Sequence, residues 1–342
     1  MKSLAKSFMA VTLAMVLALG LVSCNGTPSS SNEPEQTTAA EKTTVRLGLL
    51  KGPIGMGGTV LMDRNEKGET ANQYDVTVFS SPDQATAKII SGELDIAAVP
   101  TNLAAVLYQR TKDNEDGGIQ LLNLTAKGML YLLENGNTIQ KVSDLKGKTI
   151  YATGKGSTPE YILNYILEKN GLDPEKDVNI EFKSEHAELA ALMTEGTAKI
   201  GLLPEPNVSS VTMGNQDVRI ALNMTEEWNA VDSSSELIMS CLVVQKKFAQ
   251  ENEAAVEAFL DEYKNSIETV ISDYDAAAQL CEKFEIVPKA AVAKNALPNC
   301  SLYYSEGAEM KESIEGYYQV LFDADPESVG GSLPDDAFYY QR

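Results

Sequence analysis

Short apolar runs alternate with polar turns and amphipathic stretches along the body of the chain, in two successive series. In the first series, apolar runs at 45–50, 74–79 and 94–99 have the length and composition of strands. A polar turn and a helical pattern follow each run, with helices predicted to end near residues 64, 90 and 109. Successive β–α units of this length predict parallel strands with right-handed crossovers.

The second series repeats the first. It predicts strands at 149–153, 178–182 and 199–203, each followed by a turn and a helix, and a closing strand at 218–222. Strands at 119–125 and 129–133 connect the two series, and a strand at 236–244 is predicted to return to the first sheet. Largely helical sequence then extends from 246 to about 324, and 325–342 is irregular.

This order predicts an α/β protein of two lobes, with chain crossings near 126–132 and 224–236. Lobe 1 is predicted to comprise 44–128 and 236–342, including a helical C-terminal tail, and lobe 2 to comprise 129–235. Two crossings make a hinge with a central ligand cleft. Because ligands bind outside the carboxyl ends of strands in open α/β sheets, the β–α turns should face this cleft. These turns lie at 51–57, 80–83, 100–102, 154–159, 184–186 and 204–207.

The N-terminus carries a basic start (Lys2, Lys6) and an apolar run at 8–22 that is too short to span a bilayer comfortably. Residues 1–23 are therefore predicted to be a signal peptide. The sequence Leu-Val-Ser-Cys that ends at Cys24 resembles the lipobox of bacterial lipoproteins, which implies lipidation of Cys24 and an extracytoplasmic location at the cell membrane. The alternative is an ordinary signal peptide with an incidental cysteine. Residues 24–43 are polar and predict a flexible linker.

The charge of the chain argues against one class of function, and its cysteines leave two alternatives open. The chain has 28 basic and 49 acidic residues, a net charge of −21, which argues against nucleic-acid binding. Beyond Cys24, the cysteines Cys241, Cys281 and Cys300 have no Cys-x-x-Cys spacing. They are either isolated buried thiols or include a Cys281–Cys300 disulfide, which is compatible with an extracytoplasmic location.

Four short segments, in this order and spacing, resemble the solute-binding lipoproteins of ABC importers. They are 91–98 (Ser-Gly-Glu-Leu-Asp-Ile-Ala-Ala), 144–148 (Asp-Leu-Lys-Gly-Lys), 156–158 (Gly-Ser-Thr) and 204–206 (Pro-Glu-Pro). The most similar group binds nitrate, sulfonates such as taurine, and thiamine-pyrimidine precursors. The resemblance implies a type II periplasmic-binding-protein fold that closes on its ligand by hinge motion. It also implies a monomer that captures a small molecule and delivers it to a membrane permease.

The predicted turns supply the candidate ligand-binding residues, because helix N-termini there present unpaired backbone N–H groups. These residues are Ile54, Gly55, Met56, Ser80, Ser81, Thr101, Asn102, Ser157, Thr158 and Glu205. Each group also has an alternative to ligand binding. The glycines of the turn at 52–58 can serve only to form a tight turn, and the serines and threonines can serve as helix caps. For Glu205 the alternative is an interlobe or surface role. The turns contain Lys51 and Lys155 but no arginine, which favours a small neutral or nitrogen-bearing ligand over a strongly anionic one.

Catalytic chemistry finds little support in the sequence. There is one histidine, His186, and no Cys-x-x-Cys, Gly-x-Ser-x-Gly or His-Glu-x-x-His motif, so we expect no enzyme activity, cofactor or metal. The single tryptophan, Trp228, lies in the second crossing and either lines the cleft or packs. Two alternatives remain: a ligand-sensing lipoprotein that signals to a membrane partner, and an enzyme resembling thiamine-pyrimidine synthases, whose histidine-rich site this chain lacks.

Overall fold

The strands of the chain form two sheets, each covered by helices. The computed structural model describes residues 42–115 and 117–342. The strands are β1 (Thr44–Leu50), β2 (Gln73–Phe79), β3 (Ile96–Pro100), β4 (Ile119–Lys127), β5 (Leu130–Asn135), β6 (Thr149–Thr153), β7 (Asn179–Lys183), β8 (Ile200–Pro204), β9 (Val218–Asn223), β10 (Ile238–Gln245) and β11 (Leu302–Ser305).

The helices cover the same range of the chain. They are α1 (Pro53–Met56), α2 (Thr59–Glu66), α3 (Pro82–Ile90), α4 (Thr101–Thr111), α5 (Thr158–Lys169), α6 (His186–Thr194), α7 (Asn207–Gly214), α8 (Met224–Val231), α9 (Lys246–Glu251), α10 (Glu253–Ser272), α11 (Tyr274–Lys283), α12 (Ala290–Ala296) and α13 (Gly307–Ala324). Short 3₁₀ turns lie at Val142–Leu145, Leu297–Asn299, Pro326–Val329 and Asp336–Phe338.

Sheet A, the sheet of lobe 1, has the strand order β11-β4-β10-β3-β1-β2. Strand β1 pairs in parallel with both β2 and β3, as the sequence predicts. Strand β10 returns antiparallel between β3 and β4, which confirms that the segment after the second crossing rejoins the first sheet. Seven of the eight β10 residues are buried, because helices cover both faces of this sheet.

Sheet B, the sheet of lobe 2, has the strand order β7-β6-β8-β5-β9. Strand β6 is parallel to β7 and β8, whereas β5 is antiparallel to β8 and β9. Both sheets are therefore mixed. The predicted residue boundaries 44–128, 129–235 and 236–342 stay predictions, because strand membership alone does not fix where each lobe begins and ends.

The chain crosses between the sheets at Gly128, between β4 and β5, and again between α8 and β10. The two crossings touch at Gly128. A Cβ atom built there would lie 1.9 Å from Thr225 Oγ1 and 2.9 Å from Leu237 Cδ2. Such distances are far below van der Waals contact, so glycine is the residue that lets the crossings pass this closely.

Packing between the lobes is continuous. One hydrophobic cluster contains Leu121 of sheet A and Leu132 of sheet B together with Trp228 and Tyr317. Residues 42–342 accordingly form one compact unit. The sequence predicts two lobes with a cleft between them, and in this structure the lobes are closed against each other.

Three details of the fold differ from or extend the predicted pattern. The second crossing contains helix α8, and the C-terminal region predicted as largely helical contains the short strand β11 beside β4. The tail also folds back onto sheet A, where the Tyr340 amide donates to the Leu121 carbonyl at 2.9 Å. Cys241, Cys281 and Cys300 are buried free thiols, the first of the two alternatives left open by the sequence.

The N-terminal features predicted from the sequence lie outside the described residues. These are the signal peptide at 1–23, the lipidated Cys24 and the linker as far as residue 41. Within the described part of the chain, no helix combines the length and the apolar character that a membrane crossing requires.

Candidate functional site

Two helix N-termini from opposite lobes meet at the predicted cleft. Helix α4 begins at Thr101, directly after β3, and helix α5 begins at Thr158, shortly after β6. Thr158 Oγ1 donates a hydrogen bond to Asn102 Oδ1 at 2.8 Å. The N-terminus of a helix presents unpaired N–H groups and a partial positive charge, so this junction is suited to hold the oxygen atoms of a ligand.

A buried tyrosine hydroxyl completes this junction. Tyr317, on α13, is fully buried, and its hydroxyl lies beside the hydroxyls of Thr101 and Thr158. Within residues 42–115 and 117–342 it makes no hydrogen bond of normal geometry. Burial raises the pKa of Tyr317, although the two neighbouring threonines act in the opposite direction. The two threonine hydroxyls compensate part of its desolvation, and the unused hydrogen-bonding capacity of this hydroxyl is one that a ligand could satisfy.

Thr101 itself is held in place from lobe 1. Its Oγ1 donates to the Ile238 carbonyl at 2.6 Å, and its own carbonyl accepts from the Tyr318 hydroxyl at 2.9 Å. Thr101 is 0% exposed. The start of α4 is therefore rigidly attached to β10, the strand that follows the second crossing.

Glu205 forms a second contact between the lobes. This residue, between two prolines after β8, is 1% exposed. Its carboxylate accepts from the Ser209 amide at 3.0 Å, from Ser209 Oγ at 3.1 Å and from Asn299 Nδ2 at 3.2 Å. Asn299 lies in the C-terminal part of the chain, and its carbonyl also accepts from the Tyr131 hydroxyl at 2.8 Å.

The buried position of Glu205 changes its acid–base behaviour. Burial raises the pKa of this carboxyl above its ordinary value of 4.5, although the hydrogen bonds from Ser209 and Asn299 act in the opposite direction. Of the two alternatives open for Glu205, its hydrogen bonds in this closed structure are those of an interlobe contact. The carboxyl would become available to a ligand only when the bond to Asn299 opens.

The glycine-rich turn lies beside the Glu205 contact. Met56 is fully buried, with its Sδ 3.6 Å from the Sγ of Cys300, the residue after Asn299. A Cβ at Gly55 would lie 2.1 Å from the Leu50 carbonyl oxygen, which explains the glycine by local geometry. Ile54 is half-buried, and its carbonyl accepts weakly from the Tyr263 hydroxyl at 3.4 Å.

The serines among the candidate residues are arranged differently. Ser80 is exposed and Ser81 is half-buried at the N-cap of α3 without a capping hydrogen bond from its side chain. Ser157 is the N-cap of α5, yet its hydroxyl donates back to the Gly154 carbonyl at 2.6 Å. Side-chain capping therefore accounts for neither N-cap serine.

Sheet order explains which predicted turns meet. The turns at 80–83 and 184–186 follow β2 and β7, which are the edge strands of their sheets. Both are largely exposed, including His186, whose Nδ1 lies 2.6 Å from Thr153 Oγ1. The turns that follow the inner strands β1, β3, β6 and β8 carry the candidate residues that reach the interlobe contacts.

Trp228 packs on the hinge side of the junction. Its ring is fully buried between Tyr165 of α5, at a centroid distance of 4.6 Å, and Tyr317 of α13, at 5.7 Å. Its Nε1 donates to Ser235 Oγ at 3.1 Å. The packing alternative for this tryptophan is therefore the one observed, with the ring bridging the two lobes.

A metal site requires a group of ligating side chains with suitable geometry. No group of three or more histidine, cysteine, aspartate or glutamate side chains with metal-binding geometry occurs in the part of the chain that the structure describes. The two contacts consist mainly of hydroxyl, amide and backbone groups, with Glu205 as their ionisable carboxyl. Such a set is suited to bind and orient a ligand.

Sequence patterns do not identify Tyr131, Asn299 and Tyr317 as site residues. Tyr131 and Tyr317 sit in apolar runs where periodicity marks them as core positions. Asn299 lies in a short turn almost 100 residues from Glu205, so only the tertiary fold brings the two together. The signal available for Tyr317 is a polar tip on a buried helix face, which many core tyrosines share.

Comparisons with known proteins identify relatives of this chain. The family described as NMT1/THI5 like matches residues 75–277, which is more than half of the chain. YtlA of Bacillus subtilis (strain 168) is 28% identical over 142 residues. That alignment covers 41% of this chain and only 42% of the length of YtlA.

Solved structures resemble the chain over most of its length. An ABC transporter protein from Parabacteroides distasonis gives a TM-score of 0.73 at 24% identity, covering 88% of this chain and 100% of that one. The periplasmic aliphatic sulphonate binding protein SsuA from Escherichia coli gives 0.68 at 18% identity, with coverages of 85% and 96%. These likenesses confirm the predicted fold class, two α/β lobes of the type II periplasmic-binding-protein kind.

Proposed function

Because the chain belongs to the NMT1/THI5-like family, we propose that it is an extracytoplasmic solute-binding protein of an ABC importer. It captures a small organic molecule between its lobes and delivers it to the permease. Supporting this proposal, the resembling structure from Escherichia coli is named as a sulphonate binding protein, and the Parabacteroides structure is named as an ABC transporter.

The junction of α4 and α5 is the observation that carries the proposal. Two helix N-termini on opposite lobes converge on one point, where Thr158 bonds to Asn102 and the Tyr317 hydroxyl is unpartnered. A ligand seated there would bond to groups of both lobes at once. Its binding energy would then favour the closed arrangement over the open one, which is how a hinged binding protein couples capture to closure.

The proposed ligand-binding residues fall into two groups. Thr101, Asn102, Ser157 and Thr158 present hydroxyl, amide and backbone donors at the junction, whereas Ile54, Gly55, Met56 and Glu205 lie at the second contact. Ser80 and Ser81 follow an edge strand and would reach only a ligand that extends to the rim. No lysine or arginine side chain takes part in the contacts described above, which favours a neutral or nitrogen-bearing molecule.

The anchor and the assembly state belong to the same proposal. Lipidation of Cys24 would hold the protein at the membrane, and the linker would let it reach its permease as a monomer. The variant Cys24→Ala should lose membrane retention and keep ligand binding. Retention of that variant in the membrane fraction would show that lipidation of Cys24 is not the anchor.

A ligand screen tests the capture function. The purified protein is heated with sulfonates, nitrate, bicarbonate, pyrimidines and vitamin precursors in turn, and the cognate ligand should raise its melting temperature.

Thr158→Val should reduce the affinity for that ligand by about tenfold, equivalent to ~1.4 kcal/mol. The matched control is Thr194→Val, since that hydroxyl donates to the Ala190 carbonyl of its own helix, away from the α4–α5 junction. A folded protein that no compound stabilises would contradict the proposal.

A further inference from the structure

A groove at the outer end of lobe 2 gathers donor groups that the interlobe site does not use. It encloses about 300 Å³ and is formed where β5 ends and where β6 and β8 begin. The interlobe contacts lie at the opposite ends of β6 and β8. Strands of five residues at ~3.3 Å per residue separate the two places by roughly 15 Å.

Two lysines define the charge of this groove. Lys148 and Lys199 both line it, and neither ammonium group forms an ion pair with any carboxylate of the described residues. Lys148 is half-buried and Lys199 is exposed, and the chain around them is acidic, with a net charge of −21. A local excess of uncompensated positive charge in an acidic protein attracts an anion.

The carboxylate in the groove wall does not neutralise these lysines. Glu134 is 3% exposed and accepts hydrogen bonds from the Thr138 amide, Thr138 Oγ1 and the Ile139 amide. Arg219 pairs with the same carboxylate at 2.8 Å. Burial alone would raise the pKa of Glu134, but these hydrogen bonds and the arginine outweigh it and lower the pKa. The charge of Glu134 is thus already compensated by groups other than the lysines.

Neutral groups of the groove lining add an amide donor and apolar surface to the two lysines. The side chain of Asn135 makes no hydrogen bond within the described residues, and its Nδ2 and the Lys199 Nζ both lie beside Gly196. A Cβ built on Gly196 would be 3.1 Å from the first atom and 4.0 Å from the second. Tyr151 and Ile200 form part of the lining and provide apolar surface beside these donors.

We propose that this groove is a second binding site, for an organic phosphate monoester. Two ammonium groups and an amide would hold the dianionic phosphate, and the apolar lining would contact the organic group. Lysine ammonium groups act as point charges and suit phosphate oxygens without demanding bidentate geometry. The site is separate from the interlobe ligand site and does not depend on the function proposed for it.

Calorimetric titration of the full protein with phenyl phosphate tests this site. Saturable binding is expected, and it should weaken as the salt concentration rises. Lys148→Gln with Lys199→Gln should reduce the affinity at least about tenfold, since both charged contacts to phosphate are lost. The charge-matched control is Lys264→Gln with Lys289→Gln, two exposed lysines on lobe 1, and it should bind like the unmodified protein.

Three results would overturn the proposal. The first is the absence of saturable phenyl phosphate binding to the unmodified protein. The second is an affinity of the Lys148/Lys199 double variant equal to that of the unmodified protein. The third is loss of phenyl phosphate binding in Thr158→Val, which would place the probe between the lobes. Benzoate, which shares the ring but carries one charge, should bind more weakly than phenyl phosphate. Circular dichroism of each variant confirms that it is folded, so a loss of affinity is not a loss of structure.

Discussion

The lobes touch through two kinds of contact that differ in chemistry. At the cleft side, the contacts are hydrogen bonds between turns, such as Asn102 with Thr158 and Asn299 with Glu205. At the hinge side, the contact is aromatic, with the Trp228 ring packed in tilted orientation between those of Tyr165 and Tyr317. Each polar contact can be replaced by a bond to water or to a ligand, whereas the aromatic contact has no substitute in water. In the hinge motion proposed for this protein, we therefore expect the polar side to open and the aromatic side to act as the pivot.

Loss of the tryptophan should produce the largest effect. Trp228→Ala removes a fully buried ring and should destabilise the protein by about 3–5 kcal/mol, measured by urea unfolding. Asn299→Ala, which removes one polar contact, should cost about 1 kcal/mol. Trp228→Phe should fall between the two. If the asparagine variant proved the less stable of the pair, the cleft side rather than the hinge side would hold the lobes together.

The crossing glycine should give the next largest effect. Gly128→Ala places a Cβ within 1.9 Å of Thr225 Oγ1, and such overpacking typically costs about 1–3 kcal/mol. Removing the obstructing hydroxyl in Gly128→Ala with Thr225→Ala should recover part of the loss. A double-mutant cycle in unfolding free energy measures this coupling. Simple additivity of the two substitutions would show that the crossings do not constrain each other.

The pH dependence of Glu205 gives a smaller effect with a definite sign. Its pKa is higher in the folded protein than the ordinary value, so the folded state holds the proton more tightly. The protonated carboxyl therefore contributes stability at low pH, and the contribution is lost as pH rises through the raised value. Glu205→Gln resembles the protonated form. Its melting temperature relative to the unmodified protein should increase as the pH rises from the ordinary carboxyl value of 4.5 through the raised pKa of Glu205. A constant difference would mean that Glu205 is not responsible.

The smallest change in stability is expected at Tyr317. Tyr317→Phe removes a buried hydroxyl that lacks a regular partner, so the unfolding free energy should change by less than about 1 kcal/mol. Ligand affinity should fall, because the hydroxyl is positioned to meet the ligand at the α4–α5 junction. Tyr74→Phe is a matched control, since Tyr74 is also buried and its hydroxyl donates to Glu262, outside the proposed site. Equal affinity in both variants would remove Tyr317 from the site.

Hydrophobic periodicity predicts most of the fold. The parallel pairings of β1 with β2 and β3, and the return of β10 to sheet A, follow from the order of apolar runs and turns. Hydrophobic periodicity does not predict strand β11, because this strand is four residues long and pairs with only part of β4. Its structure depends on the sheet edge that receives it rather than on its own pattern.

The site is less predictable than the fold because turns are local and contacts are not. Topology correctly draws attention to the turns that contain Thr101 and Thr158, which meet. It does not distinguish them from the turn at 80–83, since the position of a strand at the edge or the middle of a sheet is settled by pairing over long distances. Asn299 and Tyr317 come from the C-terminal region, where no local sequence motif predicts that they take part in the interlobe contacts.

Trp228 also makes the protein its own optical probe. It is the single tryptophan of the chain, it is fully buried, and it lies between rings that belong to different lobes. Movement of either ring would change the polarity around the indole and the wavelength of its emission. The hinge motion proposed above is therefore testable by intrinsic fluorescence in real time, without any label attached to the molecule.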